Sequence, residues 1–244
     1  MRNVWIIAGR EFRMYFASPV AYTVAAVVLL ILGGIFSINI YMGLVNGQIS
    51  PDGRMVVGPL VTILIFATPA LTMRVLADEH RQGTIELLLT APVRDWELIV
   101  GKWLGATGFL WCLVAVTWIY PLILHRMTTP GIDQGVLVSA YLGVAAMTTA
   151  MVAIGVLVSS FFSSSVAAFF TTLGLLLGLW IIGGFANTAS GAGSEVVRYL
   201  SFVDHYYTHF YRGVLDMTDA VYFLSLTVLA LFLASQVVEA RRWR

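Results

Sequence analysis

Charged residues are scarce in this chain. Only 11% of its 244 residues are Asp, Glu, Lys or Arg, whereas 59% are apolar, and an ordinary soluble domain carries about 25% charged residues. This scarcity argues against a water-soluble helical fold, in which helices present charged faces to solvent. The chain also has a single cysteine, Cys112, so no intrachain disulfide can stabilise it. Composition therefore points to lipid as the surrounding medium.

Charge is absent altogether from five long stretches. These stretches are residues 14–51, 55–73, 103–124, 134–194 and 220–238. A helix needs about 20 apolar residues to cross the hydrocarbon core of a bilayer, so four of the stretches provide one crossing each. The stretch at 134–194 is long enough for two crossings, and a serine-rich cluster at 159–165 predicts a turn between these two crossings. The sequence thus predicts an all-α, polytopic membrane protein with six transmembrane helices.

We expect a single transmembrane domain over residues 1–244. An amphipathic interfacial helix is predicted at 1–17, ended by Ser18-Pro19, and its lipid-facing side comprises Trp5, Ala8, Phe12 and Tyr15. The predicted spans are residues 20–44, 56–77, 98–124, 135–158, 166–186 and 219–239. Pro69 lies inside the second span and is expected to kink it. A cytoplasmic loop at 78–95 and an outer segment at 187–218 complete the prediction.

The basic residues are distributed unequally between the two sides of this topology. Six crossings put both termini on one side, and ten of the 14 Lys and Arg residues fall on that side. The other four are Arg54, Arg126, Arg198 and Arg212. Because Lys and Arg in short loops resist translocation, the distribution favours cytoplasmic N and C termini.

Charges of both signs are concentrated between the second and third spans, at residues 74–102. Gly83 can end the helix that continues from span two, because glycine readily adopts the left-handed conformation found past helix C-termini. Thr84 can cap a new helix, with Glu86 in its positive first turn.

Two glycines of span three, Gly101 and Gly105, permit another helix to approach closely, as do Gly174 and Gly178 in span five.

A short helix is therefore predicted at residues 85–90 of this loop. Pro92 ends it, because a residue before proline is disfavoured in helical conformation, and Asp95 is expected to cap the helix of span three. The short helix carries Leu87, Leu88 and Leu89. An apolar surface ringed by charge suits docking into a groove of a cytoplasmic partner; the alternative is that the leucines lie on the membrane surface.

Several short motifs along the chain carry a family resemblance. They are Gly9-Arg10-Glu11, Ser18-Pro19, Glu79, Gly83-Thr84, Glu86-Leu87-Leu88, Pro92-Val93, Gly101-Lys102, Arg212-Gly213 and Arg241-Arg242-Trp243. In this order and spacing they resemble the permeases of type-2 ABC exporters, and in particular the gliding-motility-associated permease subgroup. The resemblance extends over nearly the whole chain.

The resemblance implies a permease that contacts an ATPase subunit through a coupling helix between spans two and three. Its coupling residues would be Glu79, Gly83, Thr84, Glu86, Leu87, Leu88 and Pro92. Similar permeases carry short re-entrant helices on the outer side between spans five and six, where residues 196–211 lie. The chain itself would hold no cofactor and no catalytic residue, and would export or extract an unidentified substrate.

The resemblance also implies an assembly in a bacterial inner membrane. Two ATP-binding subunits, which hold ATP and Mg, would work with two permease chains, identical or related, surrounded by membrane lipid. Relatives can have an auxiliary membrane protein as well, and no nucleic acid is expected as a partner. This chain has no Gly-x-x-x-x-Gly-Lys-Ser/Thr phosphate loop, as expected if another chain handles ATP.

Three other classes of protein are alternatives to a permease. An ion-coupled transporter would normally place Asp, Glu or His within a span, and the five charge-free stretches contain none. An integral membrane enzyme could use an outer metal site, with His205 and His209 four residues apart near Asp204 and Asp216, although an interfacial role for these histidines is favoured. A nucleophile in the serine cluster at 159–165 is less favoured than a turn. A non-transporting scaffold is the third alternative.

Overall fold

The computed structural model describes residues 2–46, 52–83, 94–129, 131–186 and 199–242 of the chain. All regular elements in these ranges are helices. The α-helices are α1 (Arg2–Ala17), α2 (Pro19–Val45), α3 (Arg54–Thr72), α4 (Ala77–Arg81), α5 (Asp95–Val116), α6 (Ile119–Met127), α7 (Gln134–Phe161), α8 (Ser165–Ala186), α9 (Phe202–Tyr207) and α10 (Met217–Arg242). A single 3₁₀ turn follows α9 at Phe210–Arg212.

Six helical stretches of the described chain are long and apolar enough to cross a membrane. They are Pro19–Val45, Arg54–Arg81, Asp95–Met127, Gln134–Phe161, Ser165–Gly183 and Met217–Ala240. The predicted all-α class and the six transmembrane helices are thereby confirmed. The serine-rich cluster does form the turn between the fourth and fifth stretches, because α7 ends at Phe161 and α8 begins at Ser165.

The second stretch is interrupted after Thr72, at a break that the sequence does not predict. Pro69 lies inside α3, which continues to Thr72 before a four-residue turn leads into α4. Ser159 Oγ, at the end of α7, accepts hydrogen bonds from the Leu76 and Ala77 backbone N–H groups, both at 3.1 Å. This hydroxyl satisfies N–H groups that have no helical partner at the start of α4. The break is therefore stabilised by a contact from a distant helix.

Helix α7 lies at the centre of the bundle. In its apolar window 72% of the residues are buried, against 11% in α2 and 22% in α8. Gly155 of α7 lets Thr72 of α3 approach closely, and Gly143 does the same for Phe210 of the 3₁₀ turn. Most of the large apolar side chains of α2 are exposed, and α8 exposes Val166, Phe170, Leu175 and Ile181, as expected for helices that face lipid or another membrane chain.

Helix α1 runs alongside the first half of α5 in the same direction. Asn3 contacts Glu97 near the start of both helices, and Phe16 packs against Phe109 near the end of the contact. A Cβ added at Gly101 would lie 2.7 Å from the Ile7 Cβ, so the glycines of α5 form the surface on which α1 rests. The close approach predicted for Gly101 and Gly105 is confirmed.

This packing corrects the predicted orientation of α1. Ala8 is 7% exposed, Phe12 packs on the core, and the Tyr15 ring stacks on Phe109 at 5.2 Å between centroids. These three residues therefore face α5, and the prediction that they dip into lipid is wrong. Only Trp5 of the predicted face is free for a lipid contact, at 71% exposure. The sequence did not reveal that the same face carries Glu11, which has a partner on α5.

Replacing Gly105 with alanine is expected to destabilise the protein. The new methyl group would lie 2.5 Å from the Glu11 Cβ and 3.1 Å from the Ala8 carbonyl oxygen, so α1 has to move away from α5. Overpacking of this kind costs about 1–3 kcal/mol. The midpoint of thermal unfolding in detergent, followed by circular dichroism, measures the loss.

Gly174→Ala is the matched control, because Gly174 is also inside a transmembrane helix but has no described atom within 4 Å of an added Cβ. This variant is expected to be neutral or more stable by up to about 1 kcal/mol. Equal unfolding midpoints for Gly105→Ala and Gly174→Ala would contradict the close packing of α1 on α5.

Candidate coupling site

A buried lysine joins three helices at one end of the bundle. Lys102, in the second turn of α5, places its Nζ 3.0 Å from Glu11 Oε1 of α1 and 2.7 Å from Glu79 Oε1 of α4. The Lys102 side chain is only 2% exposed, and Glu11 and Glu79 are 7% and 19% exposed. We call these three residues the Lys102 cluster.

The Lys102 cluster has close to balanced charge. Two carboxylates surround one ammonium group, and Arg10 adds a second cation 3.0 Å from Glu11 Oε1. Charges removed from water are costly unless each one has a partner of opposite sign. The positions of α1, α4 and α5 are consequently interdependent, because moving any one helix separates a buried charge from its partner.

Helix α4 is held by contacts on several sides besides Glu79. Asp78 Oδ1 accepts a hydrogen bond of 2.5 Å from Ser165 Oγ at the start of α8, and Arg81 lies 3.8 Å from the same carboxylate. Ser159 of α7 supports the start of α4. This five-residue helix therefore connects α1 and α5 on one side with α7 and α8 on the other.

The chain leaves α4 through a glycine in the left-handed conformation. Helix α4 ends at Arg81, and the Gly83 φ is +68°. A non-glycine residue adopts this conformation at a cost, so the prediction that Gly83 ends this helix is confirmed. Residues 84–93 thus begin directly after a fixed turn.

The chain enters α5 through a second fixed turn. Glu97 Oε2 accepts a hydrogen bond of 3.3 Å from the Arg94 backbone N–H and one of 3.2 Å from Asn3 Nδ2. Arg94 is the N-cap and Asp95 is the first residue of the helix, so the prediction of Asp95 as cap is wrong by one position. The glutamate three residues after the cap, rather than the aspartate beside it, supplies the acceptor. The described residues on both sides of 84–93 are therefore held by contacts with α1, α4 and α5.

The predicted coupling residues divide into two groups. Glu79 and Gly83 lie in the described part, on either side of the end of α4. The predicted helix at 85–90 lies outside the described residues, as do Thr84, Glu86, Leu87, Leu88 and Pro92. Sequence reasoning missed Lys102 and Glu11 as members of the site, although Gly9-Arg10-Glu11 and Gly101-Lys102 both contributed to the family resemblance.

An open cavity of ≈ 390 Å³ lies beside the Lys102 cluster, between α1, α2, α3 and α4. Tyr15 lines it and donates a hydrogen bond of 3.1 Å to the Leu71 carbonyl oxygen. Burial, and secondarily the charge of Glu11, raise the pKa of Tyr15 well above its ordinary value, so the phenol keeps its proton and stays a donor. The cavity gives α1 and α4 room to move relative to α2.

The opposite end of the bundle contains α9 and the 3₁₀ turn, which belong to the segment predicted to lie on the outer side. His205 Nδ1 lies 2.7 Å from Asp219 Oδ1, and His209 Nδ1 lies 2.8 Å from Asp219 Oδ2. Both histidines thus turn towards one aspartate of α10. Within the described ranges, no group of three or more His, Cys, Asp or Glu residues is arranged to hold a metal ion. The alternative of a metal enzyme therefore has no geometric support in the described chain.

Comparison with known proteins extends over almost the same residues as the structure. A family model described as ABC-2 family transporter protein matches residues 5–241. The match includes Glu11, Glu79 and Lys102 as well as residues 84–93. No curated protein matches the chain.

Removing the cation at the centre of the cluster is expected to be severely destabilising. In Lys102→Met the side chain keeps its approximate length, but Glu11 and Glu79 lose their shared buried partner. Breaking a buried ion pair by removing one member costs about 3–5 kcal/mol. The thermal unfolding midpoint and the yield of monodisperse protein in detergent measure this loss.

A compensated variant provides the control for Lys102→Met. Adding Glu11→Gln and Glu79→Gln removes the uncompensated negative charges and should restore most of the lost stability. If the triple variant were as unstable as Lys102→Met alone, the ionic explanation of the cluster would be refuted in favour of a packing role for Lys102.

Proposed function

We infer the mechanism of this chain from the fact that it belongs to the ABC-2 family of transporter proteins. It is the permease, the membrane subunit of an ATP-binding cassette transporter, and the ATPase activity resides in a partner subunit. We propose that the partner drives the permease through the cytoplasmic segment 78–95, and that a short helix at 85–90 is the coupling helix that docks on the ATPase.

The anchoring of this segment supports the proposal. A force applied to residues 84–93 reaches α4 through Gly83 and reaches α5 through Arg94 and Glu97. The Lys102 cluster then passes the displacement to α1, and the contacts of Ser159 and Ser165 pass it to α7 and α8. Buried charge pairs tolerate little separation, so these helices move together. The Lys102 cluster is the single observation on which this mechanism depends.

The predicted site residues have two different roles in this mechanism. Thr84, Glu86, Leu87, Leu88 and Pro92 form or shape the surface that contacts the ATPase, with charge and apolar area providing the contact. Glu79 and Gly83 instead position that surface relative to the spans, as do the newly identified Lys102 and Glu11.

The rest of the assembly follows from the motif resemblance. Two permease chains, identical or related, work with two ATP-binding subunits that hold ATP and Mg, and an auxiliary membrane protein can join them. The direction is export or extraction, as in the gliding-motility-associated subgroup that the motifs resemble. ATP binding in the partner pushes the coupling helix, and this displacement rotates the spans of the two permeases around a central path.

The orientation proposed for the chain puts both termini in the cytoplasm of a bacterial cell, with the chain in the inner membrane. Helix α1 and the turn after α3 lie at the same end of the bundle, joined by the Lys102 cluster. That end also carries Arg10, Arg74, Arg81 and Arg94. The excess of basic residues at this end supports the assignment.

Glu86→Lys combined with Leu88→Asp is expected to uncouple the ATPase while leaving membrane insertion intact. Replacing an anchor residue of an interface and reversing a neighbouring charge costs about 2 kcal/mol or more, a reduction of about 30-fold or more in affinity. The measurements are co-purification of the ATPase with the permease and the ATPase rate of the reconstituted complex.

Arg126→Glu combined with Met127→Asp is the matched control. These residues lie at the opposite end of the third span, and both are exposed. The control carries the same kinds of substitution and should retain its ATPase. Normal ATPase binding and rate in the Glu86→Lys/Leu88→Asp variant would rule out the coupling assignment.

Cysteine labelling tests the orientation. With Cys112 replaced by serine, cysteines introduced singly at Arg81 and Arg126, both exposed, report opposite ends of the bundle. A membrane-impermeant maleimide added to intact cells should label the Arg126→Cys variant and leave Arg81→Cys unlabelled until the cells are opened. Labelling of Arg81→Cys in intact cells would invert the proposed topology.

A further inference from the structure

A second buried polar cluster lies at the end of the bundle opposite Lys102. Asp219, in the first turn of α10, is 2% exposed, and His205 of α9 is 8% exposed. Each Asp219 oxygen faces the Nδ1 of one histidine, His205 at 2.7 Å and His209 at 2.8 Å. These contacts attach the outer helix α9 to the last span, and the proposed coupling mechanism makes no use of them.

Both ring nitrogens of His205 face hydrogen-bond acceptors. Nδ1 faces the Asp219 carboxylate, and Nε2 lies 2.9 Å from the Tyr199 carbonyl oxygen. A carbonyl oxygen and an ionised carboxylate can only accept, whereas a neutral imidazole carries a single N–H. A neutral His205 beside an ionised Asp219 would therefore leave one nitrogen lone pair pointing at an oxygen lone pair.

One additional proton satisfies both contacts. It can reside on His205, which then forms an imidazolium ion pair with Asp219, or on the carboxyl of Asp219, which then donates to Nδ1. The number of protons is the same in both arrangements. The distances consequently require that the His205–Asp219 pair carry one proton more than a neutral imidazole and a carboxylate do.

The surroundings of His205 favour a positive charge. The cavity of ≈ 310 Å³ at this site is lined by carboxylates from three positions, Asp204, Asp216 and Asp219, and its described lining includes no Lys or Arg. A hydrogen bond from the Thr218 backbone N–H lowers the pKa of Asp216, so Asp216 is ionised at neutral pH. Its Oδ2 lies 3.9 Å from His209 Nε2.

The remaining neighbours among the described residues contribute no competing cation. The Tyr222 ring of α10 stacks on the His205 ring at 3.9 Å, and the Tyr199 ring meets it edge-on at 5.2 Å; a cation over an aromatic face is stabilised by the ring quadrupole. Helix α7 meets the segment through uncharged residues such as Ser139 and Gly143. Arg212, in the 3₁₀ turn, is exposed and does not line the cavity.

We propose that His205 and Asp219 form a proton-binding site that strengthens the attachment of Tyr199 and α9 to α10 while the proton is bound. When the proton leaves, His205 keeps one N–H and has to give up either the Tyr199 carbonyl or the Asp219 carboxylate. Either loss weakens the attachment of the outer segment to the last span. Because a rise in pH removes bound protons, this attachment weakens as the pH around the site rises.

The protonation state of His205 is directly measurable in the intact chain. The protein contains only four histidines, His80, His125, His205 and His209, so a sample with ¹⁵N-labelled histidine in lipid nanodiscs gives few ring-nitrogen signals. At neutral pH the His205 signals should show a proton at both ring nitrogens, or at Nε2 with Nδ1 accepting from Asp219. A proton at only one nitrogen together with an ionised Asp219 carboxylate, read from ¹³C-labelled aspartate, would overturn the proposal.

Assignment of the signals does not depend on one variant. His205→Gln should remove the ring-nitrogen signals of His205. If that variant fails to fold, the His205 signals are identified as those that persist in all three of the variants His80→Gln, His125→Gln and His209→Gln. The Asp219→Asn variant serves the same purpose for the carboxyl signal.

The structural consequence is tested by hydrogen exchange of the backbone amides of residues 199–212. After correction for the intrinsic effect of pH, exchange in the wild-type chain should accelerate on the order of tenfold as the proton leaves, which corresponds to one lost charge-assisted hydrogen bond. His209→Gln should keep this pH dependence, because it leaves both His205 contacts in place. A corrected exchange rate that is constant while the His205 signals titrate would refute the attachment role.

Discussion

The burial of Lys102 constrains the rest of this permease. An ammonium group at 2% exposure is stable only beside its two carboxylates, because charges removed from water cost several kcal/mol each unless they are paired. Glu11 and Glu79 lie 91 and 23 positions away in the chain, so α1 and α4 must both reach α5. The glycines at 101 and 105 make this possible, since any larger residue there would hold α1 too far from Lys102. Packing and charge therefore specify the same arrangement.

The same constraint explains how a five-residue helix such as α4 can have a defined position. Isolated helices shorter than about 12 residues are marginal in water, so α4 depends on its side-chain contacts. Glu79, Asp78 and the N–H groups that bond to Ser159 connect it to α5, α8 and α7. The break after Thr72 separates α4 from the long helix before it. Helix α4 is thereby separate from α3 and attached to α5, α7 and α8, as the proposed coupling mechanism requires.

The sequence predicted those features of the fold that depend on local composition. Five charge-free stretches that provide six crossings, the turn at the serine cluster and the end of a helix at Gly83 each follow from residues close together in the chain. Features that depend on contacts between residues far apart in the chain were not predicted. The sequence predicts a lipid-facing side for α1 because nothing near Glu11 identifies Lys102 as its partner. It does not predict the break after Thr72 because Ser159, which stabilises this break, lies 83 positions beyond Leu76. Glu79 is a predicted coupling residue because it belongs to a motif, but the motif does not predict its contact with Lys102.

Both ends of the bundle use a buried ionic cluster to attach a short helix to the long spans, α4 to α5 and α9 to α10. The two clusters differ in the kind of cation. Lys102 and Arg10 lie beside the carboxylates near α4. His205 lies beside the carboxylate near α9, at the proposed proton-binding site. A helix that transmits force from an ATPase needs contacts that persist throughout the cycle, whereas a conditional contact suits a helix that has to loosen. The side chains at each end thus agree with the two proposals, a permanent attachment on the side proposed to contact the ATPase and a reversible one at α9.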